Sequence, residues 1–183
     1  MAKDDRTQIP ALIERLARVV ASETWAEGLN PTQAAALNYL ARANRFSRAP
    51  SQVAAYLSAT RGTVSQTLKA LQQKGLISER RSPNDKRSIS YDLTNAGRAA
   101  ASTETALKEA SADLPETQAR ALQDSLTEIL SALLARHGGQ PFGVCRTCRH
   151  HEARGRKGYC RLLEVDLQPE EVTQICHEQE PAA

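Results

Sequence analysis

The sequence predicts a mainly α-helical fold with one two-stranded hairpin and a small C-terminal segment stapled by a metal, and three observations carry that expectation. Hydrophobic residues make up 40% of the 183 residues and aromatic ones only 4%, with alanine and leucine throughout; a sheet-built domain would draw on β-branched and aromatic side chains instead. Apolar residues recur at three-and-four spacing along most of the chain, the period of a helix face, and alternate only around residue 90. All four cysteines lie within the last 39 residues.

Residues 9–21 place Ile9, Leu12, Ile13, Leu16, Val19 and Val20 on one side of a helix and Glu14, Arg15 and Arg18 on the other. Asn30 ahead of Pro31 is a capping side chain followed by a proline at the first helical position. A second helix is therefore expected over 32–43, with Ala36, Leu37 and Leu40 inward. Pro50 and Ser51 open a short third helix to Leu57, Ala59 and Thr60 turn the chain, and a fourth helix follows over 61–74. Val64, Leu68 and Leu71 are its expected buried face. Two short helices joined by a tight turn make a helix-turn-helix.

Gly75 supplies the left-handed stop of that helix, and residues 76–78 form a short strand. Ile89, Tyr91 and Leu93 alternate with polar residues in a second strand, and Ser82-Pro83-Asn84-Asp85 between the two is a turn, so the hairpin is a wing. Thr94 is placed to cap a long helix to about Asp113, Pro115 breaks it, and a last helix spans 117–136. That helix has a broad apolar face of Leu122, Leu126, Ile129, Leu130, Leu133 and Leu134. The first and last helices are more apolar on one side than a small winged body can cover, so they are expected to meet a second copy across a two-fold axis. The chain thus divides into a winged, dimerising body over residues 1–137 and a tail over 138–183, a size that allows one full domain and an appendage.

The net charge of +3 permits nucleic-acid binding without demanding it, so the placement of charge matters more than its total. Residues 61–98 hold eight basic side chains against three acidic ones. Arg61, Thr63, Ser65, Gln66 and Lys69 fall in the first turns of the fourth helix, where side chains of a groove-inserted helix reach base edges. Contacts from these charges to phosphates make binding weaken as salt rises. The wing adds Arg80, Arg81, Asp85, Lys86 and Arg87.

Residues 47–98 resemble the winged helix-turn-helix of the MarR family of bacterial transcriptional regulators. The corresponding pieces are the helix around Val53 to Leu57, the entry Thr63-Val64-Ser65, the exit Lys74-Gly75-Leu76-Ile77, the wing Asp85-Lys86-Arg87, and Leu93-Thr94-Asn95-Ala96-Gly97. With the flanking helices the resemblance extends over about residues 9–136. It implies that Arg87 enters a minor groove and Asp85 holds it there, which suits an arginine in a narrow groove of strong negative potential. It also implies a homodimer on a pseudo-palindromic operator in double-stranded DNA, acting as a repressor released by a signal.

The tail lies outside that resemblance. The spacing C-x2-C-x11-C-x15-C of Cys145, Cys148, Cys160 and Cys176 supplies four sulfurs, enough for one tetrahedral metal centre. The opening residues lack a basic stretch followed by an apolar run, and no apolar segment approaches the roughly 20 residues that span a bilayer. A cytoplasmic protein without a membrane partner is expected, and there four thiols point to metal or redox chemistry rather than a disulfide framework. A single C-x2-C with two lone cysteines suits an iron-sulfur cluster sensing redox state or iron, with Zn2+ the alternative and a thiol-disulfide switch a third reading. His150, His151 and His177 stand beside the cysteines as possible substitute ligands, and nearby arginines are expected to lower the thiol pKa values. An enzyme or electron carrier is disfavoured: the chain has no Gly-rich phosphate loop, no H-E-x-x-H and no nucleophile elbow. If the metal is structural zinc, the signal is a small molecule instead.

Overall fold

The structure, a computed structural model, describes residues 5–26, 28–81, 88–101 and 105–182. Helix α1 (Ile9–Ala26) follows a single 3-10 turn, and α2 (Pro31–Arg42), α3 (Pro50–Tyr56) and α4 (Arg61–Gln73) come next. The entry to α2 is the anticipated cap: the Asn30 side chain accepts the Gln33 N–H at 2.8 Å, the Gln33 side chain accepts the Asn30 N–H, and Pro31 sits where no donor is needed. Thr60 caps α4 in the same way, accepting the Thr63 N–H at 3.2 Å. Between α3 and α4 Ser58 takes a left-handed conformation at φ 49°, which completes the tight turn.

At the far end of α4, Gly75 (φ +69°) lets Leu76 N–H return to Leu71 C=O and Gly75 N–H to Gln72 C=O, which satisfies the last carbonyls of the helix. The chain then enters the wing, β1 (Ile77–Arg81) paired antiparallel with β2 (Ile89–Leu93), with Ile77 opposite Leu93 and Arg81 opposite Ile89. Strand β1 is longer than the sequence pattern suggests and takes in Arg80 and Arg81. The long helix expected after Thr94 is interrupted: α5 (Asn95–Ala101) and α6 (Ala106–Ala112) are separate, because Thr105 is extended (φ −117°, ψ 150°) and its hydroxyl accepts the Lys108 N–H as a new cap. Thr94 does cap α5, accepting the Gly97 N–H while donating to Gly75 C=O, and so ties the wing to the end of α4. Gly97 is required there, since a Cβ on it would come 1.9 Å from the Leu76 oxygen. Helix α7 (Glu116–His137) is long and none of its residues is buried.

The body's core centres on α2. Ala36, Leu37, Tyr39 and Leu40 are sealed against Val53, Val64, Leu68, Leu71 and Ile77. Helix α4 therefore buries one face, the three apolar positions foreseen together with Thr67, whose hydroxyl donates to Thr63 C=O.

The tail is a set of short strands. β3 (Gly143–Val144) pairs with β7 (Ile175–Cys176), and β4 (His151–Arg154), β5 (Lys157–Cys160) and β6 (Val165–Leu167) form an antiparallel meander with His151 opposite Cys160. The tail is docked on the α2–α3 loop: Ala43 bridges Ile175 and Asn44 N–H donates to Ile175 C=O at 2.9 Å. Phe46 of that loop packs into the tail's small core beside Leu167, Cys145 and Cys176. In return, Phe142 meets the rings of Tyr39 and Tyr56 edge-on at 6.0 and 5.2 Å.

Candidate nucleic-acid interface and cysteine site

With Val64, Thr67, Leu68 and Leu71 turned inward, the helix period leaves Arg61, Thr63, Ser65, Gln66 and Lys69 exposed on the other side of α4. The sequence placed all five on that face. Thr63 is partly engaged, its hydroxyl 2.9 Å from that of Thr60. Arg80 and Arg81 are exposed at the end of β1 away from the body. Arg81 pairs with Glu79 at 2.8 Å and Arg80 with Asp92 at 3.3 Å, exposed contacts that a phosphate can displace at small cost. Asp85, Lys86 and Arg87 lie outside the described residues.

Two of the counted basic residues serve the fold. Lys74 donates to Gly28 C=O at 2.7 Å, and Arg98 to Leu93 C=O and Asn95. Arg48, which the sequence did not single out, is mostly buried and bonds Ala43 C=O through Nε and Nη2 and Asp92 through Nη1. With Tyr91 N–H donating to Arg48 C=O, it fastens the α2–α3 loop to the wing.

The four cysteines, 31 residues apart from first to last in the sequence, line one cavity of about 20 Å3 with His150, His151, Leu162, Leu167 and Glu178. All four are free thiols; Cys145 and Cys176 are buried, and Cys148 and Cys160 half-buried. The C-x2-C segment is a single turn in which Cys148 N–H donates to Cys145 C=O, so both sulfurs come from one tight bend. Cys145 and Cys176 are in hydrogen-bond contact. The Cys145 S–H donated to Cys176 holds the Cys176 thiol below its ordinary range, helped by the Asn44 amide and the Glu178 N–H, and the same bond together with burial pushes Cys145 up. Asn44 Nδ2 stands 3.4 Å from Cys145 Sγ.

Of the basic residues expected to lower the thiol pKa values, three are paired elsewhere: Arg149 to Glu180 at 2.7 Å, Arg154 to Glu152 and Asp166, and Arg161 to Arg149 C=O. Of the histidines, His150 faces Glu180 and His177 faces the body, while His151 Nε2 is buried beside Gly158 and Val172 without a hydrogen-bond partner. Among the described residues no three His, Cys, Asp or Glu side chains are drawn tightly enough together to hold an ion as they stand. The donor types nevertheless fit a thiolate-bound metal: four cysteines line one small cavity, and amide donors support two of them.

Residues 27–88 match the family model described as MarR family. Over that stretch, which holds α2, α3, α4 and β1, the chain is similar to the MarR family. Solved structures with the same fold include Staphylococcus aureus MepR in a DNA complex, 21% identical over 69% of this chain and 96% of that one with a TM-score of 0.55. Streptococcus pneumoniae FabT in complex with DNA is 22% identical over 71% and 97%, with a TM-score of 0.56. A further MarR family transcription regulator is 26% identical over 72% and 91%, also at 0.56. No curated protein matches the chain. Each of these structures is covered almost whole while more than a quarter of this chain is not, so the chain carries residues beyond the part that these structures match. No described helix is long and apolar enough to cross a membrane.

Asn44, Ser47 and Arg48 were missed from sequence, and His177 was weighed there only as a metal ligand. The available signal was compositional: the chain has only two phenylalanines, Phe46 and Phe142, and both sit where tail and body meet.

Proposed function

We propose that the chain is a cytoplasmic, homodimeric transcription regulator that binds a pseudo-palindromic operator in double-stranded DNA as a repressor, its affinity set by a metal centre on Cys145, Cys148, Cys160 and Cys176. The observation that carries the DNA reading is the exposed face of α4, polar and basic at Arg61, Thr63, Ser65, Gln66 and Lys69 while the opposite face is sealed into the core. MepR and FabT, which share the fold, are described in complexes with DNA. Arg87 and Lys86 are assigned to the groove and Asp85 to their support by the resemblance of the wing.

The dimer reading rests on the terminal helices. Leu12, Leu16 and Val19 of α1 and Leu122, Leu126, Leu130 and Leu133 of α7 are 44–56% exposed, a stripe that one copy leaves in water and a second copy would cover. For the metal, four cysteines lining one small cavity support a single thiolate-bound centre, an iron-sulfur cluster or, as the alternative, Zn2+. Bound metal keeps all four thiols deprotonated and crosslinks strands that little apolar surface holds.

Fluorescence anisotropy on duplex DNA from the promoter region of the chain's own gene, at several salt concentrations, tests the DNA reading. Affinity should fall steeply with salt, and Arg61→Ala or Gln66→Ala should each cost about 1–3 kcal/mol if the side chain meets a base edge. Salt-independent or absent binding rejects it. Metal, iron and acid-labile sulfide analysis of protein purified without oxygen separates zinc from a cluster.

A second reading keeps the regulator and makes the metal purely structural. It is favoured by a cavity of about 380 Å3 between α1, α2, α5 and α6, lined by Val20, Leu29, Leu37, Ala41 and Leu107, a volume that admits a small apolar ligand. A stable response of DNA binding to such a ligand, with none to metal removal, would select it.

A further inference from the structure

We infer that a buried hydrogen-bond chain, Cys145–Asn44–Ser47–His177–Gln52, couples the state of the cysteine site to the helix-turn-helix of the same protomer, holding α3 in its DNA-binding position when the site is loaded. The inference rests on the proposed metal centre.

Asn44 and Ser47 are fully buried, and polar groups stay there only when their partners are supplied. Asn44 Nδ2 donates to Cys145 Sγ at 3.4 Å, and its Oδ1 accepts from Phe46 N–H and from the Ser47 hydroxyl at 3.1 and 2.7 Å. Ser47 Oγ accepts the His177 N–H at 3.0 Å and lies 3.2 Å from His177 Nδ1. Because the Ser47 hydrogen is committed to Asn44, Nδ1 carries the ring proton and donates to Ser47. The bare Nε2 then accepts from Gln52 Nε2 at 2.9 Å. Glu178 Oε1 also lies 2.9 Å from Nε2 and competes with Gln52 for it, since an Nε2–H would donate to that carboxylate instead. Gln52 completes the chain: its Oε1 accepts the Ala49 N–H that opens α3, at 2.7 Å, and its Nε2 also donates to Phe46 C=O.

One covalent link and one packing contact make this a coupling and not only a set of buried bonds. His177 directly follows Cys176, so a shift of that sulfur toward a metal carries the backbone N–H that rests on Ser47. Helix α3 buries Val53 and Ala54 against the core that seats α4, so its displacement moves the recognition face. The same loop holds the wing through Arg48 and Asp92. The body therefore feels the cysteine site at the corner of its own helix-turn-helix, without a route through the dimer helices.

The test uses the full chain with Zn2+ as the probe metal, comparing loaded and chelator-stripped protein by DNA anisotropy and by amide exchange over residues 49–56. In the wild type, stripping should weaken DNA binding about tenfold, within the usual range of coupling between two sites, and speed exchange in α3. Ser47→Ala should keep the zinc stoichiometry and lose the response, with stripping changing affinity less than about twofold. His177→Ala, at a half-buried position, gives the same reading if Ser47→Ala folds poorly. Variants that hold zinc and respond like the wild type overturn the coupling and leave the metal reading standing. A wild type that holds zinc and ignores stripping also overturns it. A wild type that takes up neither zinc nor iron removes the metal reading, and the coupling falls with it.

Discussion

The body and the tail meet along one loop but are held together by different means. The body seals fifteen apolar residues into a single cluster around α2 and α4, whereas the tail's cluster has three buried members, two of them cysteines. Burial at about 25 cal/mol per Å2 is ample for the first and meagre for the second. The tail's remaining order comes from short strand pairs, from Phe46 inserted out of the body, and from the polar contacts of Asn44, Arg45 and Ser47. A region whose own core is this small draws most of its order from contacts outside that core, which its host does not need.

That contrast predicts its largest effect in the body. Leu40 is completely buried, so Leu40→Ala should destabilise the chain by about 2–5 kcal/mol, measured as a lowered midpoint in urea unfolding followed by helical circular dichroism. Removing metal from the tail should leave that midpoint nearly in place. If chelation costs the body as much as the cavity does, the two regions are one cooperative unit and the contrast fails.

Much of the body was legible because helices and half-buried strands print their period on the sequence. The α4 face divided correctly at Val64, Leu68 and Leu71 from apolar spacing alone, and Asn30, Gly75 and Thr94 marked element ends by cap chemistry that depends only on near neighbours. Thr105 was misread for the converse reason: a hydroxyl residue inside an alanine-rich run can either ride the helix or cap a new one, and here it caps. The body–tail contact was invisible. Asn44 and Ser47 read as a solvated loop, and their partners Cys145 and His177 lie more than a hundred residues away. Nothing local distinguishes a polar loop in water from one under a docked tail, and the clustering of the cysteines pointed to a site without saying what it rests on.

The middle-sized effect lies on that contact. Asn44→Ala removes a donor from Cys145 and an acceptor from both Phe46 N–H and Ser47, leaving buried groups without partners. The expected cost is about 1–3 kcal/mol. Amide exchange should rise on both sides of the seam, at residues 44–53 and 175–177, whereas Leu40→Ala should raise it through the helices of the body. Exchange confined to the tail would mean that the loop keeps its shape unaided.

The smallest effect belongs to Arg45 and tests how much of the docking is electrostatic. Its Nη1 meets Glu171 Oε2 at 2.8 Å and its Nη2 donates to Asp166 C=O at 3.0 Å, while the guanidinium lies 4.5 Å from the centre of the Phe46 ring. Glu171 is only 7% exposed, but Arg45 is 37% exposed, so water screens the pair from one side and its net worth is well under that of an enclosed ion pair. Arg45→Ala should therefore cost about 1 kcal/mol or less, seen as faster exchange at residues 166–171 with the body's unfolding midpoint unchanged. Glu171 keeps the Gln168 N–H at 2.8 Å, which limits the penalty of leaving its carboxylate behind. Arg45→Lys should recover only part of the loss, because an ammonium supplies the charge but not the fork that reaches a carboxylate and a carbonyl together. Full recovery by lysine, together with loss of the effect in high salt, would make the contact one of charge alone and leave the docking of the tail to Phe46, Asn44 and Ser47.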